Sequence, residues 1–193
     1  MLKECLNKLN ISLEWYSPLY EGFKKYNLID KEKIIKIFLA QTSHESNNYQ
    51  RLEESFNYTP KRLLEVFGKR IGSIENANSL CKEGKEAIAN FVYGGRLGNL
   101  KDEGYKYRGR GIIQLTGKNN YERFSKYLNI DLVNNPNILI TDKNIIVEVA
   151  LAFFKLNKLF DINDIEKSTK IINGGLNGLS DRIKRYEKIK DIY

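Results

Sequence analysis

The chain has 193 residues, room for one domain or for two lobes sharing a cleft, and enough to bury a real hydrophobic core, which excludes a disulfide-stapled miniprotein. With 41% hydrophobic residues, 11% aromatics and only 3 prolines it reads as folded, because a disordered segment has too little apolar surface to offset ordering entropy. A balance of 32 Lys and Arg against 24 Asp and Glu gives a net charge of +8 and a pI near 9.3, which favours nucleic acid, acidic membranes or cell-wall polymers as partners without naming a reaction.

From the N-terminus, residues 1–8 are interrupted by charge every few positions and lack the apolar centre of a secretory signal, so no export signal is expected. Ser17-Pro18 predicts a helix opening on a capping hydroxyl, and Asp30 is expected to cap a helix over 31–46. Thr59-Pro60 repeats the device for a short helix through Phe67, with Gly68 available to close it. Further helices are predicted over 83–93, stopped by Gly94-Gly95, and over 118–129, 142–157 and 181–192, with Thr141 and Ser180 as candidate caps. The one strand candidate is 112–115, and no internal repeat is visible.

The pattern is therefore mainly α with minimal β structure, and the chain reads as one catalytic-sized domain. The most apolar run, 145–156, contains Glu148 and Lys155 and is shorter than the roughly 18 to 20 apolar residues that span a bilayer. Cys5 and Cys81 fit no metal spacing and read as reduced thiols. Gly, Asn and Tyr concentrate in three irregular stretches, 47–58, 94–111 and 174–179, and such loops on a helical scaffold are where chemistry usually sits.

One carboxylate stands out within a helix. Ile34, Phe38, Gln41 and Glu45 recur at spacings of four, three and four, a single face that begins apolar and ends in a carboxyl group. A glutamate continuing a core-facing stripe is expected to be desolvated, near the negative end of the helix dipole, and so to favour its protonated form, as a general acid requires. The alternative is a solvated side chain at a frayed helix end. Glu53-Glu54 follows nine residues later and offers a second carboxylate, although most adjacent glutamates are merely solvated. Two carboxyl groups roughly 6.5 to 9.5 Å apart, one protonated and one ionised, are the apparatus of inverting glycoside hydrolysis. His44 is the only histidine, which excludes a multi-histidine metal site and leaves it as a hydrogen-bonding partner of the site.

Gln41-Thr42-Ser43-His44-Glu45-Ser46, the run from Leu52 through Glu53-Glu54 to Tyr58, the block from Tyr107-Arg108-Gly109-Arg110-Gly111 through Gln114-Leu115-Thr116-Gly117 to Asn120-Tyr121, and Ile172-Asn173-Gly174-Gly175 occur in an order that resembles glycoside hydrolase family 19. That family holds plant-type chitinases and short bacteriophage endolysins. The resemblance runs from about residue 34 to about residue 186 and leaves residues 1–30 as an N-terminal helical extension outside it.

The resemblance implies a two-lobed, lysozyme-like fold with a central cleft, and hydrolysis with inversion, a reaction that needs no cofactor and no metal. Glu45 matches the general acid and Glu54 the general base, with Glu53 the competitor for that role. Thr116 matches a hydroxyl that helps hold the attacking water. Gln114, Asn120 and Asn173 match polar residues of the sugar subsites, and Arg182 an arginine whose charge could keep the base ionised. His44 and Arg110, also within the matching blocks, are counted with the substrate-binding residues. Tyr58 and Tyr107 are expected there too, because they lie with Tyr49, Tyr93 and Tyr105 in or beside the loops, where flat rings can stack on sugar faces, although some of these rings are expected to be core.

The chain lacks the long loops and several disulfides of plant-type chitinases, which points to the phage-lysin branch. The expected function is thus peptidoglycan hydrolysis and lysis by a monomeric enzyme, made in the cytoplasm and released through a hole formed by a separate protein. The +8 charge would draw it to anionic wall or membrane surfaces. Chitin is the alternative substrate, and a non-catalytic glycan- or nucleic-acid-binding protein the alternative of another class. Lys and Glu are interspersed with no basic run, so no nucleic-acid partner is expected.

Overall fold

The computed structural model describes residues 1–193. It contains eleven α-helices: α1 (Leu2–Lys8), α2 (Tyr16–Lys25), α3 (Glu32–Glu45), α4 (Pro60–Ile71), α5 (Ile74–Glu83), α6 (Lys85–Tyr93), α7 (Lys118–Leu128), α8 (Ile138–Thr141), α9 (Lys143–Leu156), α10 (Ile165–Asn173) and α11 (Leu179–Glu187). Two 3-10 turns, Leu13–Trp15 and Leu159–Asp161, complete the regular structure. No helix is long and apolar enough to cross a membrane. The chain divides into two compact units: Met1–Leu52, Arg110–Gln114 and Asn137–Tyr193 form the first, and Glu53–Gly109 with Leu115–Pro136 form the second.

The first unit is built on α3, whose residues from Ile34 to Ser43 are all buried. Helix α11 packs along it, and α2 lies against α9. Phe38 joins α3 to both partners of this core: it meets Phe23 of α2 edge-on at 5.4 Å and Phe154 of α9 at 4.8 Å. Gly22 permits the α2–α9 approach, since a Cβ there would lie 2.6 Å from Leu151 and 2.9 Å from Val147. The N-terminal segment 1–30 is helical and no loose appendage, because Leu6, Leu19 and Phe23 are fully buried in this unit.

The second unit gathers Phe56, Leu63, Ile71, Ala77, Ile88, Ala89 and Val92 into its own core, with Tyr58, Phe67 and Tyr93 packed against it. Thr59 caps α4 by accepting from Arg62 N at 3.2 Å, and Ser73 caps α5 by accepting from Asn76 N at 3.2 Å.

Several sequence-based expectations are corrected. Helix α2 starts at Tyr16, ahead of Ser17-Pro18, so Pro18 occupies a first-turn position where its missing N–H is harmless. No side chain caps α3: Lys31 holds that position, with Asp30 one residue too early. Helix α4 kinks at Phe67 but passes Gly68 and stops at Gly72, where φ is +81. The predicted helix over 83–93 is the end of α5 and the whole of α6, divided by Gly84 at φ +96. Asp142, and neither Thr141 nor a later residue, caps α9, while α11 opens on Gly178 before Ser180. The 112–115 segment is a turn: Gln114 N reaches back to Gly111 O at 3.2 Å and Gln114 itself sits at φ +53. Cys5 and Cys81 are both free thiols, and burial pushes Cys5 up to about 11.

Candidate active site

The first candidate carboxylate closes the buried face of α3. Ile34 and Phe38 face the core, Gln41 lies fully buried one turn on, and Glu45 is the last helical residue. Gln41 Nε2 donates to Thr169 Oγ1 at 2.9 Å and to Ile165 O at 3.1 Å, so α10 fixes its amide. Its Oε1 accepts from one arm of Arg182 at 2.5 Å, and the other arm of that guanidinium pairs with Glu45 Oε1. Arg182 is buried, its Nε has no partner, and Glu45 retains 21% of its side-chain exposure.

Two readings change here. Glu45 faces a buried guanidinium at the rim of the core, where the stripe alone implied an apolar wall, because α11 supplies a cation that periodicity within α3 does not reveal. And Arg182 pairs with Glu45, the expected acid; its position in the motif had suggested support of the base.

A second network backs the first. His44 Nδ1 lies 2.7 Å from Asp181 Oδ2, so a proton on Nδ1 would donate to that carboxylate. Asp181 also accepts from Arg185 Nε at 2.5 Å, while Arg185 Nη1 donates to Asn48 Oδ1. Burial raises the Asp181 carboxyl, but the hydrogen bonds from Arg185 and His44 outweigh it and hold the group below its ordinary range. The His44 ring lies against Gly178, where a Cβ would fall well inside contact distance of Nε2. Asn47, Asn48 and Tyr49 run at φ +48, +58 and +64, a left-handed turn that swings the chain away from the helix end. Tyr49 is core: it shares a 2.7 Å hydrogen bond with Thr42 and meets Trp15 edge-on.

In the second unit, Glu53 and Glu54 lie on an extended segment and diverge. Glu54 N donates to Gly109 O at 2.8 Å, and Tyr93 donates its hydroxyl to both Glu54 carboxylate oxygens at 3.0 Å each. Burial, and after it the Glu54 charge, push the Tyr93 hydroxyl far above its usual range, so it stays a donor. Glu53 pairs with Arg108, whose guanidinium stacks 3.9 Å above the Tyr105 ring, and keeps 43% of its side-chain exposure.

The other expected residues divide. Thr116 is half-buried at the entry to α7, and its carbonyl accepts from Asn120 Nδ2 at 2.8 Å. Gln114 belongs to the first unit and donates to Gly111 O at 2.9 Å. Asn173 is exposed at the end of α10, and Tyr58 is half-buried between Phe56 and Phe67. Tyr107 is corrected: its ring is buried on Tyr121 and its hydroxyl reaches Val133 O at 3.3 Å, so it is core and no sugar platform. Arg110 is likewise buried and unable to meet a ligand from solvent. Sequence reasoning missed Asp181, Arg185, Asn48 and Arg108; only the four-residue spacing of Asp181 and Arg185 on one helix carried a signal.

Comparison with known proteins gives the arrangement its family. The family profile described as chitinase class I matches residues 20–161. A glycosyl hydrolase family 19 domain-containing protein of Haemophilus influenzae is 39% identical over 156 residues, which is 79% of this chain and 76% of that one. The chain belongs to glycoside hydrolase family 19. The acidic endochitinase SP2 of Beta vulgaris is 29% identical over 167 residues, 82% of this family 19 chain but 49% of that protein, so the match spans about half its length. A bacterial family 19 chitinase of solved structure superposes with a TM-score of 0.62 at 18% identity, covering 96% of this chain and 90% of that one, and so shares its mainly α, lysozyme-like fold.

Proposed function

We propose that this family 19 chain hydrolyses a β-1,4 glycosidic bond with inversion, using Glu45 as acid and Glu54 as base. The carrying observation is that each carboxylate is fixed by a side-chain donor of its own, Glu45 by the Arg182 guanidinium and Glu54 by the Tyr93 hydroxyl.

In the reaction Glu45 gives its proton to the glycosidic oxygen as the bond to the anomeric carbon breaks. Water attacks that carbon from the opposite face, and Glu54 takes the proton the water loses. Glu45 leaves the step as a carboxylate, and the pairing with Arg182 stabilises that new charge in a site already fixed by Gln41. Glu54 loses charge, and its phenolic partner does not oppose the proton as a cation would. Glu53 is the poorer base, because protonating it dissolves its pair with Arg108. Thr116 takes the role of holding the attacking water, and Gln114, Asn120, Asn173 and Tyr58 that of contacting sugars. His44 supports the turn after Glu45 through Asp181.

The polymer we assign is peptidoglycan, on the strength of the net charge of +8, which attracts anionic wall polymers and gains nothing on uncharged chitin. On this reading the enzyme reaches the wall after release from the cytoplasm and lyses the cell. Chitin is the second reading, favoured by the chitinase names of the Beta vulgaris relative and of the structural neighbour. Mass spectrometry of products from purified peptidoglycan and from chitin separates them. Soluble muropeptides with a reducing muramic acid or glucosamine support the first, and release of chito-oligosaccharides alone supports the second. An anhydro end would overturn hydrolysis itself.

A further inference from the structure

Tyr93 does more than close a helix. It is the last residue of α6, its ring packs edge-on against Phe56 at 6.1 Å, and its hydroxyl is shared between the two oxygens of Glu54. One O–H shared between both oxygens, with Gly109 N donating to Oε2 at 3.4 Å, holds the carboxylate in place. The backbone behind it is tied down too. Asn99, itself buried, donates from Nδ2 to Tyr93 O at 3.0 Å and accepts from Lys118 N on Oδ1 at 2.8 Å. Lys118 opens α7 two residues after Thr116, so one amide links the tyrosine that holds Glu54 to the turn that carries the hydroxyl. Gly94 lets the chain turn here, since a Cβ would collide with the carbonyls of Asn90 and Lys101.

We infer that Tyr93 is the positioning residue of the base: it orients the Glu54 carboxylate and stabilises its ionised form, with Asn99 setting Tyr93 in register with the Thr116 turn. The inference rests on Glu54 being the base. Its logic is that a donor hydrogen bond to a carboxylate favours the charged form, so removing the donor makes the base harder to keep ionised. Charged or titratable groups near this pair include Tyr58 and Arg96, which act electrostatically on Tyr93, and Glu53, the sequence neighbour of Glu54, with its partner Arg108.

The test is Tyr93→Phe, which keeps the ring and its packing and removes only the hydroxyl. The expected result is a fall in kcat of about tenfold or more with KM little changed, and an acidic limb of the kcat/KM profile displaced upward by about one pH unit. The assay is run on purified peptidoglycan and on chito-oligosaccharides. Carbon-13 NMR of carboxyl-labelled glutamate reads the same displacement in Glu54 without turnover. A profile and a Glu54 titration that superpose on the wild type overturn the inference. If Y93F does not fold, Asn99→Ala must move the same limb in the same direction by a smaller amount, and an unmoved limb is again decisive against it. Glu54→Gln separates the two layers: an active E54Q removes the base assignment, whereas an inactive E54Q beside an unmoved Y93F profile removes only the role of Tyr93.

Discussion

The two carboxylates differ in almost every respect except their residue type. Glu45 ends a buried helix of the first unit and is gripped by a guanidinium that itself rests on a buried amide. Glu54 lies on an extended segment of the second unit, beside an aromatic core, held by a phenol and by the backbone of Gly109. The contrast teaches which partner suits which task. A group that becomes charged during a reaction benefits from a cation waiting for it, and a group that gives up charge is oriented by a neutral donor that resists the incoming proton less than a cation would.

The strongest way to break this contrast is to neutralise each carboxylate in turn. Glu45→Gln and Glu54→Gln should each lower kcat by about 10² to 10⁴ with unfolding curves close to wild type, whereas Glu53→Gln should change kcat by less than about threefold. Equal losses at Glu53 and Glu54 would remove the distinction drawn between the neighbours.

Arg182→Lys sharpens the first half of the contrast. Lysine keeps the charge but lacks the fork that spans Gln41 Oε1 and Glu45 Oε1 together, so kcat should fall by about 10- to 100-fold with a lower melting temperature. A variant with wild-type kcat would mean that charge alone suffices. Gly178→Ala tests the layer behind Glu45: a methyl group at φ +75, pressed on the His44 ring, should destabilise the fold by about 1 to 3 kcal/mol in chemical denaturation.

The smallest effect concerns pH. Asp181 has a folded pKa below the ordinary 3.8, so its stabilisation is present above that value and is lost as the pH falls through the lower folded one. With 47% of its side chain exposed the contribution is under about 1 kcal/mol. Melting temperatures of wild type and Asp181→Asn should therefore differ at pH 6 and converge in strong acid; a gap that widens in acid contradicts the sign.

What the sequence disclosed follows from how far each signal reaches along the chain. The face Ile34, Phe38, Gln41 and Glu45 was legible because helical periodicity is local, and the Thr59 cap because a hydroxyl before proline is a local device. Helix α5 was missed over most of its length, since Asn76, Asn78 and Ser79 are weak helix formers and the helix depends on its Ser73 cap and on packing with α4 and α6. The partners of the carboxylates were illegible for the same reason in stronger form. Arg182 stands 137 residues from Glu45 and Tyr93 stands 39 from Glu54, and no spacing rule spans such separations. Tyrosines in or beside the loops looked alike in sequence, yet Tyr107 and Tyr49 went to the core, whereas Tyr93, at the end of α6, went to a carboxylate.

The division of labour between Glu45 and Glu54 is tested most directly with a substrate whose leaving group needs no protonation, the 2,4-dinitrophenyl β-glycoside of an N-acetylglucosamine oligosaccharide. Release of dinitrophenol by Glu45→Gln should return to within about tenfold of the wild-type rate, because only the acid has been removed, while Glu54→Gln should stay inactive for want of a base. Rescue of Glu54→Gln with no rescue of Glu45→Gln would contradict the assignment.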